Sequence, residues 1–269
     1  MTGTLKDLII AIKGGGEMAT GIAWRLFQTN FKQIFMLERK NPMAVRRRVS
    51  FCEALHEGTI IVEGVAAKKV SSTDQFVSAW NENRIPILID PEWTAIKTVQ
   101  PHVVIDAILA KKNLGTDLLD ARLVIGLGPG FEAGKDVHMV IETNRGHNLG
   151  KVILKGCPEP NTGIPGSIGG YTRQRVLRSP CAGIFTSSLT IGTPVKKGDV
   201  IGHVGNEQVF AEIDGILRGL IRKNTIVTGK LKIGDIDPRG NKNYCDTISE
   251  KARAIGGSVL EAVLREYNH

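Results

Sequence analysis

Aromatic residues are scarce in these 269 residues, at 5% of the total. The basic residues are scattered apart from one run, Arg46-Arg47-Arg48. Together these features exclude the interleaved basic and aromatic platform on which nucleic-acid bases stack. The net charge of +8 is accounted for as well by small anionic ligands, so no nucleic-acid partner is expected. Cysteine is equally sparse. Cys52, Cys157, Cys181 and Cys245 form no C-x-x-C pair, and Met1-Thr2-Gly3-Thr4-Leu5-Lys6-Asp7 lacks a basic stretch leading into an apolar core. Reduced thiols and a cytoplasmic location are the expectation. No apolar run is long enough to cross a bilayer, so no membrane role is expected.

What the chain does have is glycine, 31 residues of it, gathered in short motifs between apolar runs. Leu8-Ile9-Ile10-Ala11-Ile12 is a near-continuous apolar stretch of the kind buried on both faces of a parallel sheet. Ile34-Phe35-Met36-Leu37, Thr59 to Val65, Ile85 to Asp90, Val103 to Ile108 and Leu123 to Leu127 repeat the theme. Helical periodicity fills several of the intervals, first over Glu17 to Gln28. The alternation predicts an α/β fold with a Rossmann-like open, mostly parallel sheet. Pro- and Gly-rich Cys157 to Gly166 reads as a connector, and the segments beyond it are short strands. A helix spanning Ile248 to Tyr267, interrupted at Gly256-Gly257, closes the chain. The expected domains are 1–165, binding a nucleotide or cofactor, and 166–269, β-rich with the terminal helix.

Between the first strand and the first helix stands Gly14-Gly15-Gly16-Glu17-Met18-Ala19. In G-x-G-x-x-G/A the first glycine permits a tight turn, the second admits a pyrophosphate to the backbone, and the third small residue lets helix pack on strand. The helix N-terminus then turns its N–H groups and partial positive charge toward the phosphate. Glu38, 22 residues after Gly16, closes the second strand where an acidic side chain accepts hydrogen bonds from a ribose hydroxyl. Candidate ligand contacts are therefore Gly14, Gly15, Gly16, Glu17, Ala19, Thr20 and Glu38, with Arg46 and Arg47 as bidentate phosphate partners. Cys52, beside the basic run, reads either as a low-pKa thiol or as a small buried hydrophobe.

A second glycine segment, Gly126-Leu127-Gly128-Pro129-Gly130-Phe131, follows another apolar strand. Gly128 and Gly130 are candidate backbone contacts to an anion, with Arg145 and His147 downstream. His138 and Glu142 share a face and are candidates for an acid/base pair. No third ligand stands at a metal-site spacing, so no metal is expected. His102 and Asp106 lie on an apolar strand and read as core polar groups.

At this point a resemblance covers nearly the whole chain. Ile12 to Gly21, Ala44-Val45-Arg46-Arg47 with Val49-Ser50-Phe51, Val62 to Val65, Gly126 to Phe131 and Ile141 to Gly150 are similar, in order, to blocks of the YqeB-type family. Ile233-Gly234-Asp235-Ile236-Asp237-Pro238-Arg239-Gly240 also fits that pattern, and Asp235, Asp237 and Arg239 read as an ion network or as ligand contacts. Proteins of this type are accessory to selenium-dependent molybdenum hydroxylase systems and distantly related to XdhC/CoxI-type maturation factors of the molybdenum cofactor. The resemblance implies a maturation factor binding a dinucleotide-type cofactor, either molybdopterin dinucleotide or NAD(P). It implies a molybdenum hydroxylase as partner and leaves self-association open. An NAD(P)-dependent oxidoreductase and a non-catalytic interaction adaptor are the alternative readings.

Ser179 to Phe185 with Ile191 to Ile201 looks like the biotinyl/lipoyl type of barrel-sandwich hybrid. Val204-Gly205-Asn206-Glu207-Gln208-Val209-Phe210, at the position of the carrier hairpin, contains no lysine. A swinging-arm carrier is therefore not expected.

Overall fold

A computed structural model describes residues 4–268. The chain divides into two compact units. One runs through Pro42, Ser50–Asn161 and from Ile248 onward; the other joins Met43–Val49 to Thr162–Thr247.

In the first unit the elements are β1 (Ile10–Lys13), α1 (Glu17–Gln28), β2 (Ile34–Glu38), α2 (Ala54–Glu57), β3 (Thr59–Val62), β4 (Val65–Val70) and α3 (Phe76–Asn81). They continue with β5 (Arg84–Ile89), α4 (Thr94–Val99), β6 (Val103–Asp106), β7 (Leu123–Leu127), β8 (Met139–Ile141) and β9 (Val152–Ile153). The second unit contributes β10 (Val176–Arg178), β11 (Gly183–Thr186), β12 (Pro194–Val195), β13 (Val200–Val204), β14 (Glu207–Phe210), β15 (Gly215–Leu220), β16 (Thr225–Val227) and β17 (Lys232–Asp237). Helix α5 (Glu250–Tyr267) then returns to the first unit.

The first unit is a single nine-stranded mixed sheet in the order β3-β4-β5-β2-β1-β6-β7-β8-β9. This corrects the expected Rossmann-like sheet. The inner strands run parallel, whereas β3 pairs antiparallel with β4 and β9 antiparallel with β8. Apolar runs announce strands but not the direction of their neighbours. Direction follows from connection length, and a short turn leaves no room for a crossover. Thr59 to Val65, expected as one strand, is such a hairpin: Glu63 and Gly64 both take positive φ, at 43° and 81°, as a tight turn of this kind requires.

Central β1 is buried along its whole length, consistent with its unbroken apolar run. Phe35, Leu37, Val104, Val124 and Phe76 fill one side of the sheet. Helix α5 packs on α1, so it belongs with the sheet rather than with the β-rich segment to which its sequence position attached it. It is continuous through Gly256-Gly257. A methyl group at Gly256 would stand 2.8 Å from the Gly21 carbonyl oxygen of α1. The glycine thus serves a close helix–helix approach rather than a break.

The second unit consists of two separate four-stranded antiparallel sheets, ordered β10-β17-β15-β12 and β14-β13-β11-β16. It replaces the expected barrel-sandwich hybrid, because the local hairpin signals that suggested that fold fix turns and not the way sheets close. Pro194 to Ile201, for example, splits at a turn in which Lys196 N–H donates to Asp199 Oδ2 at 2.8 Å. Its core gathers Phe185, Leu217, Ile233 and Ile236. Beside that core lies a buried ion network. Asp235 accepts from Arg175 Nη1 at 2.6 Å and from Arg218 Nε at 2.8 Å, and Asp237 accepts from Arg218 Nη1 at 3.0 Å and Arg239 Nη2 at 2.7 Å. Burial pushes both carboxyls up, but Lys232, Arg218 and Arg175 around Asp235, and Arg239 and Arg218 around Asp237, outweigh it and hold both below the ordinary range. The Asp235–Asp237–Arg239 motif is therefore a structural tie.

Candidate functional site

The carboxyl ends of β1, β2 and β6 meet in register, with Lys13 opposite Leu37 on one side and Asp106 on the other. The glycine turn starts there. Gly14 has φ +96°, and a methyl group on it would stand 3.3 Å from the Ala107 backbone. Its N–H donates to the Leu37 carbonyl at 2.8 Å. Gly15 presses on Cys52: an added methyl would lie 2.8 Å from Cys52 Cβ. In return the Cys52 N–H donates to Gly15 O at 2.9 Å. Cys52 is buried and braces the turn.

Gly16 differs from both. It is the N-cap of α1, where a glycine offers no capping side chain of its own, and its φ is −71°. A methyl group there would meet nothing within 4 Å. The helix thus opens on a glycine with space beside it. Glu17 begins the first turn, and Ala19 is buried. Thr20 is part of the support, since its Oγ1 accepts from Phe51 N–H at 2.8 Å.

Glu38 reaches the turn as its placement predicts. Oε2 accepts from Gly15 N–H at 3.0 Å and Oε1 from Arg39 N–H at 2.8 Å. Burial pushes the Glu38 carboxyl up, only partly countered by these two N–H groups and the Arg39 charge. An ionised carboxylate offers about four acceptor positions, so two remain for a ligand hydroxyl.

Under the turn lies a cluster that the residue pattern did not reveal. Lys13 is 1% exposed. Its Nζ donates to Thr116 Oγ1 and pairs with Asp120 Oδ2, both at 2.9 Å. Thr116 Oγ1 in turn donates to Asp106 Oδ2 at 2.7 Å, and the Trp93 ring lies 5.4 Å from the ammonium. Burial raises the Asp106 carboxyl, offset in part by the Thr116 hydroxyl. The available signal was a lysine closing an apolar strand opposite an aspartate closing the next. Asp106 is a polar group of this cluster, while His102 Nδ1 accepts from Ile9 N–H at 3.0 Å elsewhere.

Most of the remaining candidates are engaged by the protein itself. Gly128 and Gly130 lie in the loop after β7, but both face packed atoms. A methyl at Gly128 would overlap Thr143 Oγ1, and one at Gly130 would meet Lys112 N at 2.6 Å. His138 Nδ1 accepts from Val124 N–H at 3.0 Å, ahead of β8 and toward the amino ends of these strands. Glu142 is buried and accepts from Asn144 and Glu159 N–H groups, each at 2.6 Å. Arg145 pairs with Glu250, and His147 is exposed. Arg46 and Arg47 fall in the second unit. There Arg46 donates to the Tyr244 and Thr247 carbonyls and Arg47 to Leu220 O. Among the described residues no group of three His, Cys, Asp or Glu could hold a metal ion, and no helix is long and apolar enough to cross a membrane.

No family model matches the sequence. Among solved structures, similarity extends to the ectoine utilization protein EutE (DoeB) from Ruegeria pomeroyi, at 11% identity and TM-score 0.24 over 86% of this chain and 57% of that one. An aspartoacylase family protein from Mesorhizobium loti matches at 12% identity and TM-score 0.25, over 75% of this chain and 56% of that one. Likeness of this size assigns the chain neither fold nor activity. In sequence, the chain is 46% identical over 256 residues to the uncharacterized protein YqeB of Escherichia coli K12. That alignment takes in 95% of this chain and 47% of the other, so the chain spans about half the length of the curated relative it matches. The YqeB-type resemblance carried by the motifs agrees with this similarity.

Proposed function

We propose that the chain is a cytoplasmic accessory factor in the maturation of selenium-dependent molybdenum hydroxylases, holding a dinucleotide-type cofactor at the Gly14–Gly16 turn. The observation behind this reading is the open flank of Gly16, the N-cap glycine of α1. A pyrophosphate there would take the N–H groups and the positive end of α1. A ribose hydroxyl would use the remaining acceptor positions of Glu38. Molybdopterin dinucleotide and NAD(P) share that chemistry. A hydride-transferring enzyme would also need an acid or base at the turn; His138 is held by the backbone of β7, whereas Glu38 stands there.

Differential scanning fluorimetry against NAD, NADP, ATP and CTP, with pterin fluorescence of the protein as isolated, tests the proposal. Stabilisation by at least one dinucleotide or nucleotide is expected, and Gly16→Val should remove it with the fold intact. Absence of both stabilisation and bound pterin would sink the proposal. Hydride transfer to a screened substrate would replace the accessory role by an oxidoreductase.

A further inference from the structure

The second unit carries a cleft of about 520 Å³ that no part of the proposed function uses. Its floor is the turn Thr190-Ile191-Gly192-Thr193 leading into β12. Gly192 N–H donates to Leu217 O at 2.8 Å, and Leu217 N–H donates to Thr193 O at 2.9 Å, so the turn is fixed from both sides. Gly192 takes φ +98°. A methyl group on it would stand 3.7 and 3.8 Å from the two Nη atoms of Arg48 and 3.8 Å from Cε of Lys242. Two cationic side chains therefore converge over one glycine.

Their charges are not balanced. Arg48 is anchored by Ile191 O at 2.6 Å and by Asp246 Oδ1 at 3.2 Å. Lys242 has no ion-pair partner among the described residues, and the cleft lining holds no carboxylate besides Asp246. Two like charges brought together raise each other's cost, and a bound anion relieves it. Thr190 and Thr193 also line the cleft and carry hydroxyls able to donate. A planar guanidinium fork, a point-charge ammonium and two hydroxyls suit a tetrahedral, doubly charged oxyanion better than a flat carboxylate. The cleft is also larger than a lone phosphate requires.

We propose that this cleft binds a phosphate monoester, its oxygens shared between Arg48, Lys242 and the two threonine hydroxyls, and its organic part lying along the Thr190–Pro194 turn.

Isothermal titration calorimetry of the full chain with phenyl phosphate, inorganic phosphate and benzoate at low ionic strength is the test. Phenyl phosphate should bind, weakening as salt screens the cations. Lys242→Ala should weaken it by about tenfold, Lys242→Glu should abolish it, and Lys223→Ala, at an exposed lysine outside the cleft, should leave it unchanged. Lys242 is an exposed side chain, so both variants should fold with unaltered circular dichroism. No heat with phenyl phosphate, equal affinity for benzoate, or an affinity indifferent to Lys242→Ala would each overturn the proposal. Loss in Gly16→Val with retention in Lys242→Ala would move the anion to the α1 turn and overturn it as well.

Discussion

Two glycine segments follow two parallel strands of one sheet, and their sequences promise the same thing. Gly14–Gly16 follows β1, and Gly126–Gly130 starts in the last residues of β7 and runs past its end. In the second, every glycine faces the protein's own atoms: Gly126 the Phe131 side chain, Gly128 the Thr143 hydroxyl, Gly130 the backbone of Lys111 and Lys112. In the first, Gly14 and Gly15 do the same, and Gly16 alone is open. A glycine records that something approaches its Cα closely. Whether that neighbour is the chain or a ligand depends on what faces the missing side chain. By that measure the phosphate-facing candidate narrows to one position.

The sharpest way to break this contrast is Gly130→Ala. Its φ of +111° and the Lys112 backbone at 2.6 Å combine left-handed strain with an immovable neighbour, so a loss of about 4 kcal/mol is expected. Chemical denaturation measures it. A change below about 1 kcal/mol would mean that the loop is not packed as described. Gly15→Ala should follow with about 2 kcal/mol. Its φ is unstrained, but the new methyl meets Cys52 Cβ at 2.8 Å and Cys52 N at 3.0 Å. Gly16→Ala should cost no more than about 1 kcal/mol, the difference between glycine and alanine at an N-cap. Any nucleotide-dependent stabilisation should nonetheless shrink in that variant. If it shrank equally in Gly130→Ala while that variant stayed folded, the two segments would act together and the contrast would fail.

Much of this is legible in the residue pattern, and the misses share a cause. The apolar runs placed β1, β2, β5, β6 and β7, and the interval from Gly16 to Glu38 put a carboxylate at the turn. Strand direction was not legible: the hairpin at Glu63-Gly64 needs a positive φ at a glutamate, which residue type does not announce. Gly256 read as a helix break because its partner Gly21 lies far away in sequence. Lys13 went unread for a related reason. A lysine after five apolar residues looks like a strand end reaching solvent, and only the register with Asp106 and the return of Thr116 and Asp120 show it buried. Arg46 and Arg47 read as phosphate ligands because their actual partners, backbone carbonyls, leave no mark in sequence.

The smallest expected effect tests whether Glu38 belongs to the turn as a charged acceptor or as a group under strain. Burial raises its carboxyl above the ordinary value although Gly15 and Arg39 N–H groups oppose the rise. A folded pKa above the unfolded one means that the folded state holds the proton more tightly. The resulting stability is fully present below the unfolded value and is lost as pH rises through the folded one. Glu38→Gln removes that titration while retaining an acceptor for Gly15. Denaturation of both proteins from acid to neutral pH should therefore show the wild type losing ground to the variant as pH rises past the ordinary glutamate range. The opposite trend, wild type gaining, would mean that the two N–H groups outweigh burial. The Gly15 N–H would then already be committed to a stable anion, and a ligand would find only the open flank at Gly16.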